Sequence, residues 1–198
     1  MNNLAYEYQA KLAGYSLVAG IDEAGRGPLA GPVVAAAVIL PQDITLTGVK
    51  DSKKMSPRSR EEAFFIIQSR ALDISLAVVS PQEIDRINIL QATRKAMKLA
   101  VLSLDPQPDY LLIDGIQDID LPIRQRCIIK GDQLSLSISA ASVLAKVYRD
   151  RIMNSYHELY PVYEFSLNKG YGTRGHIQAI DRYGPCRIHR ITFKGVLR

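Results

Sequence analysis

The chain has 198 residues, of which 47% are apolar and 23% charged, and its formal net charge is +5. This length suits one domain with a full hydrophobic core, and the composition is typical of a globular protein. The longest apolar run, residues 33–40, is far shorter than the roughly 18–20 residues that cross a bilayer, so no membrane span is predicted. Residues 1–14 lack the apolar core of a signal peptide, which favours a cytoplasmic location. The basic charge suits a polyanionic partner without identifying one.

Cysteine and histidine give little indication of a metal site. Cys127 and Cys186 form no CxxC pair, and His157, His176 and His189 lack the spacing of zinc ligands. A zinc site or a disulfide framework is therefore not expected. Any metal would be held by carboxylates, which select hard cations such as Mg²⁺ or Mn²⁺.

Hydrophobic periodicity predicts two strands followed by alternating helices and strands. In chain order, the predicted elements are strands at 17–21 and 33–40, a helix opened by Ser56-Pro57, a strand at 72–79, a helix opened by Ser80-Pro81, strands at 110–113 and 127–129, and helices at 139–159 and 175–183. The first two strands are interpreted as a hairpin, and the tail from Phe165 as basic and loop-like. We expect each of the last two strands to follow a helix and to run parallel to a neighbour. The pattern predicts the α/β fold class, with a mixed central sheet flanked by helices.

Four acidic residues lie at predicted strand ends: Asp22, Glu23, Asp114 and Asp132. In open α/β sheets, ligand sites gather beyond the carboxyl ends of the strands. Ionised carboxylates beside a core are costly unless they are paired or metal-bound, so their convergence would favour a divalent cation. Two carboxylate-bridged metals suit phosphodiester hydrolysis, because one activates water and the other stabilises the leaving oxygen. The alternative, that each aspartate is only a turn residue, stays open at this point.

The segment from Gly25 to Ala30 matches the dinucleotide-binding pattern GxGxxA. That motif needs a helix starting at the glycines, whereas prolines and a predicted strand follow here, so dinucleotide binding is rejected. We expect instead that exposed backbone N–H groups and Arg26 hold a phosphate or sugar of a bound strand. A plain hairpin loop is the alternative.

Basic residues cluster in a loop, on the long predicted helix and in the C-terminal tail. They include Lys50, Lys53, Lys54, Lys130, Lys146, Arg149, Arg151, Lys169, Arg174, Arg182, Arg187, Arg190, Lys194 and Arg198. The clustering predicts contacts with a phosphate backbone, although a solvated surface would explain any one of them. Tyr171, between two glycines, is suited to stack on a sugar or base, with a core tyrosine as the alternative. His176 and His189 remain open as phosphate contacts, general acids or structural residues.

Several short segments stand out along the chain. In chain order they are GIDEAGRGP at 20–28, DSKK at 51–54, IDG at 113–115, KGD at 130–132, SAAS with LAK at 139–146, KGYGT at 169–173 and HR at 189–190. Together they resemble ribonuclease HII, the type 2 ribonuclease H family. Each segment alone is weak evidence, but all of them occur in the order found in that family, which makes the match specific. They cover residues 17–193, so we expect a single catalytic domain within 1–198.

The resemblance implies a ribonuclease H fold and an endonuclease that depends on Mn²⁺ or Mg²⁺. Such an enzyme hydrolyses the RNA strand of RNA/DNA hybrids and nicks 5′ of ribonucleotides embedded in duplex DNA, leaving a 5′-phosphate and a 3′-hydroxyl. The implied partner is thus nucleic acid, the implied process ribonucleotide excision repair, and the expected state a monomer.

Residue roles follow from the same resemblance. It implies that Asp22, Glu23, Asp114 and Asp132 are the catalytic acids and metal ligands. It implies substrate binding by Gly25, Arg26, Gly27, Ser52, Lys53, Lys54, Lys169 and Tyr171. The backbone of residues 25–27 would contact the 2′-hydroxyl, and Tyr171 would sense the junction from ribose to deoxyribose.

The chain departs from related patterns at a few positions. Type 3 enzymes carry an extra N-terminal domain and a different residue between the two glycines, where this chain has Arg26. Glu164 and Thr192 stand where the family often has glycine and serine. Two other hypotheses stay open at this stage. A nuclease of related fold, such as a resolvase or an exonuclease, would cut all-DNA substrates, and a non-catalytic module would bind nucleic acid even under chelation.

Overall fold

A five-stranded mixed sheet forms the centre of the protein, in the order β3-β2-β1-β4-β5. The computed structural model describes residues 4–42, 44–46 and 55–197. The strands are β1 (Val18–Ala24), β2 (Val33–Ile39), β3 (Asp73–Val79), β4 (Tyr110–Asp114) and β5 (Arg124–Ile128). β2 is antiparallel to β1 and β3, whereas β4 is parallel to β1 and β5. This confirms the predicted mixed sheet and the predicted hairpin.

Helices cover both faces of the sheet. Within the described residues they are α1 (Ala5–Leu12), α2 (Pro57–Arg70), α3 (Pro81–Leu102), α4 (Gly131–Leu134), α5 (Leu136–Leu159), α6 (Phe165–Asn168) and α7 (Arg174–Tyr183), with a 3-10 turn at Pro161–Tyr163. Ser56 and Ser80 cap α2 and α3 as predicted, each accepting a hydrogen bond from a backbone N–H three residues on. α1 was not predicted, and α6 adds one helical turn to the tail. None of the helices in these ranges is both long and apolar enough to cross a bilayer.

One topological prediction is wrong: β5 does not follow a helix. Residues 115–123 connect β4 to β5 without helical structure, yet the two strands are parallel. The Gln125 side chain holds this connection, because it accepts from the N–H of Ile119 at 2.9 Å and donates to the carbonyls of Ile119 and Leu121. Ile119 and Leu121 pack against the core. Their side chains therefore cover the sheet as the apolar face of a crossover helix would.

The two sheet faces pack against different helices, and this arrangement positions the candidate site. α3 covers one face, where Ile21 of β1 is fully buried. α5 and α2 cover the other face. The start of α5 lies directly on β1, because a Cβ added to Gly20 would be 2.2 Å from the carbonyl carbon of Ser137. This close approach brings α5, with Ser142, against the end of β1.

Candidate active site and nucleic-acid cleft

Three of the predicted catalytic acids lie at the sheet edge where the parallel strands β1 and β4 end. Ile21 pairs with Ile113, so Asp22 and Asp114 follow at the same sheet edge. Asp22 is only 5% exposed, and its Oδ1 accepts a hydrogen bond from the N–H of Glu23 at 2.7 Å.

The fourth acid reaches this edge through a backbone contact. Oδ1 of Asp114 accepts a hydrogen bond from the N–H of Gly131 at 2.7 Å. Asp132 is the next residue along the chain and is buried. The start of α4 is therefore held against the end of β4, and the acids that are distant in sequence become neighbours.

The electrostatics of this edge are unfavourable for three negative charges. Burial raises the pKa of Asp22 well above its ordinary value, and the carboxylates of Glu23 and Asp114 raise it further. Hydrogen bonds with the Ser142 side chain and the Glu23 backbone act in the opposite direction. A bound cation would relieve this conflict, because it reverses the sign of the field at each carboxylate.

The donor chemistry of the acidic edge fits a hard divalent cation, since oxygen ligands are those that Mg²⁺ and Mn²⁺ prefer. Over residues 4–42, 44–46 and 55–197, however, no three His, Cys, Asp or Glu side chains converge closely enough to form a metal-binding group. Asp22 and Asp114 each direct one oxygen to a backbone N–H. The predicted ligands thus share an edge without forming a closed coordination shell.

An open cleft of about 700 Å³ lies beside the acidic edge. Its lining residues are Asp22, Glu23, Ala24, Gly25, Arg26, Gly27, Ser142, Lys146, Arg149 and Tyr171. Two predicted catalytic acids therefore share a cavity with four of the eight predicted substrate-binding residues. Asp114, Asp132 and Lys169 are not part of this lining. Ser52, Lys53 and Lys54 lie outside the described residues.

Arg190 holds the glycine-rich loop, residues 25–31, from beneath. Its guanidinium donates to the carbonyls of Gly25 at 2.6 Å, Gly31 at 2.9 Å and Arg26 at 3.0 Å. The side chain is fully buried, and burial lowers its pKa to about 9, so it stays charged at neutral pH. The sequence-based assignment of Arg190 to a phosphate-binding surface is wrong, because backbone carbonyls satisfy this guanidinium inside the protein.

Arg149 is a second buried guanidinium, and it was likewise wrongly assigned to the surface. It donates to the carbonyls of Pro32 at 3.0 Å, Ala30 at 3.1 Å and Lys169 at 3.0 Å. Gly25 lies against it with φ +98°, and an added Cβ would come within 2.1 Å of its Nε. Only glycine fits there, since both the backbone conformation and the space exclude a side chain.

Tyr171 forms the wall of the cleft opposite the glycine-rich loop. The carbonyl of Gly170 accepts hydrogen bonds from the N–H groups of Leu29 at 2.8 Å and Ala30 at 3.3 Å, which joins the two loops. The Tyr171 side chain is 46% exposed, so the alternative of a core tyrosine is wrong. A Cβ at Gly27 would lie 3.8 Å from Cε1 of Tyr171. The aromatic ring and the glycine-rich loop therefore flank the same space.

The predicted cations differ in their environments. Arg26 is exposed, with Nη1 3.4 Å from Oε1 of Glu23. The ammonium of Lys169 donates to the side-chain oxygen of Asn154, and its pKa is lowered mainly by burial and further by neighbouring cations, including Lys146. This accumulation of positive charge is a physical reason for an anion to bind beside Lys169.

The two histidines with open roles form a buried pair. His176 and His189 are 0% and 2% exposed, and their Nε2 atoms are 3.0 Å apart. Their burial rules out direct phosphate contacts in this conformation. Sequence patterns contain no signal for such a pair, because the two residues lie in different segments that meet only in the fold.

We expect acid to destabilise the fold through this pair. Burial, followed by the neighbouring His176, lowers the pKa of His189 from 6.5 to about 4. Between these values the unfolded chain binds a proton that the folded chain excludes, so stability falls as the pH falls. The expected loss from pH 6.5 to pH 5 is about 2 kcal/mol, measured by urea unfolding.

His189→Gln should remove most of this slope. The raised pKa of Asp22 acts in the opposite direction, since protonation of Asp22 favours the folded state. This contribution is common to the variant and the unchanged protein and cancels in the comparison. A slope unchanged by His189→Gln would contradict this account.

The chain is similar to curated and solved ribonucleases. The sequence model of the family ribonuclease HII matches residues 19–196. Ribonuclease HII of Acetivibrio thermocellus is 55% identical over 95% of this chain and 73% of that protein. Ribonuclease HII of Geobacter sulfurreducens is 56% identical over 96% of this chain and 88% of that protein.

Solved structures with the same fold include two archaeal enzymes. Ribonuclease H2 of Pyrococcus horikoshii has a TM-score of 0.77 at 27% identity, covering 91% of this chain and 95% of that one. Ribonuclease HII of Archaeoglobus fulgidus, solved in complex with PCNA, has a TM-score of 0.78 at 26% identity over 92% and 96%. Bst ribonuclease HIII, solved with Mn²⁺, has a TM-score of 0.73 at 20% identity over 94% and 70%, and shares the fold.

The sheet topology and the acidic strand edge beside a glycine-lined cleft define a hydrolase with the ribonuclease H fold. This confirms the predicted fold class. The chain belongs to the ribonuclease HII family and is an endoribonuclease that acts on RNA paired with DNA. The family membership argues against the two competing hypotheses, the nuclease of another type and the non-catalytic module.

Proposed function

We propose that this enzyme also nicks duplex DNA on the 5′ side of embedded ribonucleotides, leaving a 5′-phosphate and a 3′-hydroxyl. The supporting observation is that Asp22 and Glu23 line the same cleft as residues 25–27 and Tyr171. The groups suited to hydrolysis and the groups suited to reading a sugar therefore face one bound nucleotide.

We assign Asp22, Glu23, Asp114 and Asp132 as the catalytic acids and as ligands of Mn²⁺ or Mg²⁺. When bound, such an ion activates water and stabilises the leaving oxygen. The backbone N–H groups of Glu23 and Gly131 orient the carboxylates of Asp22 and Asp114. Burial and the charges of Glu23 and Asp114 raise the pKa of Asp22, and this unfavourable setting for a free carboxylate supports cation binding. The Mn²⁺ in Bst ribonuclease HIII belongs to a protein of the same fold.

Sugar recognition is assigned to the glycine-rich loop and Tyr171. Because Arg190 fixes the carbonyls of Gly25 and Arg26, the remaining polar groups of the loop have defined directions. Fixed groups pair with a 2′-hydroxyl, and a deoxyribose would leave them unpaired, which is a strong basis for rejecting it. The exposed ring of Tyr171 stacks on the neighbouring sugar, and Arg26 holds a phosphate.

The nucleic-acid backbone is assigned a path away from the cleft along α2 and α5. A second groove of about 1130 Å³ shares Lys146 with the cleft and continues to Lys169. Arg58, Arg60 and Arg151 also line it. Because phosphate contacts supply most of the affinity of such enzymes, this basic groove supports the assignment.

The segment Ser52, Lys53 and Lys54 is assigned to the same backbone contacts. We further propose a single catalytic domain, a monomer, a cytoplasmic location and a role in ribonucleotide excision repair. The basic net charge and the ribose-reading cleft support a role on nucleic acid.

The test is a cleavage assay on a DNA duplex with one ribonucleotide, with Mn²⁺, Mg²⁺ or chelator, beside an all-DNA duplex. We expect metal-dependent nicking 5′ of the ribonucleotide and an intact all-DNA control. Tyr171→Ala should lower kcat/KM by about 10- to 100-fold, since stacking on an aromatic ring contributes about 1–3 kcal/mol. Binding without cleavage under every metal condition would overturn the proposal, as would cutting of the all-DNA duplex.

A further inference from the structure

A chain of hydrogen bonds runs through the His176–His189 pair to the backbone of Tyr171. The N–H of Cys186 donates to Nδ1 of His189 at 2.9 Å. The two Nε2 atoms are 3.0 Å apart. Nδ1 of His176 lies 2.9 Å from the carbonyl oxygen of Tyr171.

We assign the direction of this chain from its first hydrogen bond. The Cys186 N–H lies closer to Nδ1 of His189 than the Cys186 carbonyl does, at 2.9 Å against 3.3 Å, and that carbonyl already accepts from the N–H of His189. The proton of His189 is therefore assigned to Nε2, which donates to Nε2 of His176. The proton of His176 then resides on Nδ1 and donates to the Tyr171 carbonyl. Every member of the chain is satisfied only when both imidazoles are neutral, and burial lowers the pKa of both.

The same pair connects the two walls of the cleft. His189 forms a backbone bridge with Ala30, and the N–H of Arg190 donates to the carbonyl of Leu29 at 2.8 Å. One histidine thus belongs to the support of the glycine-rich loop. The other histidine holds the residue whose ring forms the opposite wall.

The surroundings make the pair rigid. The Tyr163 ring lies 4.8 Å from the ring of His189, and the Phe165 ring lies 5.3 Å from that of His176, measured between centroids. Among the described residues, His176, Tyr163 and Cys186 are titratable groups in contact with His189. None of the interactions that shift the pKa of the two imidazoles comes from a carboxylate. Neither ring can change its hydrogen bonds in this apolar enclosure without losing stability. The pair therefore keeps the backbone of Tyr171 at a fixed distance from the glycine-rich loop.

We propose that His176 and His189 are positioning residues that set the spacing between the Tyr171 ring and the glycine-rich loop, and thereby the reading of the ribose. This inference rests on the sugar-reading role proposed above for Tyr171. Neither histidine lines the cleft, so His176 acts through the backbone of Tyr171 and His189 acts through the glycine-rich loop.

The kinetic test compares His176→Leu with His176→Asn on the single-ribonucleotide duplex. Leucine keeps the apolar volume but cannot donate to the Tyr171 carbonyl. Asparagine places an amide N–H near the position of Nδ1 and should restore that bond. Relative to the folded fraction measured by circular dichroism, we expect kcat to fall about tenfold for leucine, with KM changed less than about twofold, and to recover largely for asparagine.

A double-mutant cycle separates positioning from general destabilisation. In a Tyr171→Ala background, His176→Leu should have no further effect on kcat, because the side chain that it positions is gone. An equal loss of kcat in both backgrounds would overturn the proposal. His157→Leu serves as the matched control and should leave kcat unchanged in both.

A second measurement does not depend on cleavage. The chain contains no tryptophan, so Tyr171→Trp introduces a single fluorophore at the cleft wall. We expect His176→Leu to lower the fluorescence anisotropy of this indole and to raise its quenching by acrylamide, and His157→Leu to change neither. An unchanged signal would overturn the positioning role. Kinetics that are insensitive to Tyr171→Ala would overturn the sugar-reading role instead.

Discussion

Asp22→Asn is expected to abolish cleavage and, at the same time, to stabilise the protein in the absence of metal. The carboxylate is buried and its pKa is raised by burial and by the charges of Glu23 and Asp114. Loss of the metal ligand proposed at Asp22 should cost several kcal/mol of transition-state stabilisation, so kcat should fall by about 10³-fold or more. Removing a buried charge from a repulsive set should raise the free energy of unfolding by about 1 kcal/mol.

The measurements are single-turnover cleavage with Mn²⁺ and urea unfolding with chelator. Asp120→Asn is a matched control, because Asp120 is exposed and pairs with Lys98 on the surface. It should change kcat less than about twofold and stability by less than about 0.5 kcal/mol. Retained cleavage in Asp22→Asn would exclude its catalytic role, and a less stable variant would contradict the repulsion inferred at the acidic edge.

The sheet and the acidic edge could be predicted because their signals are local. An apolar run that ends in Asp22 or Asp114 indicates a buried strand with a carboxylate at its end. Parallel pairing of the two strands then brings the carboxylates together without further information. The position of Asp132 was harder to predict from the sequence, because it depends on the hydrogen bond between Gly131 and Asp114.

The buried residues that hold the cleft walls could not be predicted from the sequence, because the burial of a cationic side chain depends on contacts distant in sequence. Lys146 and Arg149 lie three residues apart on α5 and look alike in sequence. Both side chains line the cleft, but Lys146 pairs with Asp150 at 2.8 Å, whereas the buried guanidinium of Arg149 donates to three backbone carbonyls. Composition and spacing indicate the charge of such residues, but they do not indicate whether solvent or backbone carbonyls surround the side chain.

The same distinction separates two kinds of residue in the proposed sugar recognition. Gly25 and Tyr171 line the cleft and were singled out from the sequence. Arg190, Arg149 and the histidine pair are buried and hold the backbone of the two cleft walls. A backbone group can discriminate a 2′-hydroxyl only if its direction is fixed, so the proposal assigns these buried residues a part in the specificity.

Arg190→Lys is expected to show how much the cleft depends on this buried support. A lysine carries a single ammonium, which cannot reproduce the planar fork that reaches the carbonyls of Gly25, Arg26 and Gly31. Unsatisfied buried carbonyls should cost about 3–5 kcal/mol, equivalent to a fall in Tm of about 10 °C or more.

Arg190→Lys should also disturb the geometry of the glycine-rich loop. We therefore expect kcat/KM of the folded enzyme on the single-ribonucleotide duplex to fall about 100-fold. The control is Arg187→Lys, three residues earlier, where the side chain is exposed and the expected change is below about 0.5 kcal/mol. Because Arg190 lies beneath the loop, the loss should be larger for a single ribonucleotide than for a continuous hybrid. In the hybrid, neighbouring ribonucleotides offer further sites at which the loop can bind a 2′-hydroxyl. Equal stability of the Arg190→Lys and Arg187→Lys variants would show that the three carbonyls do not depend on the guanidinium.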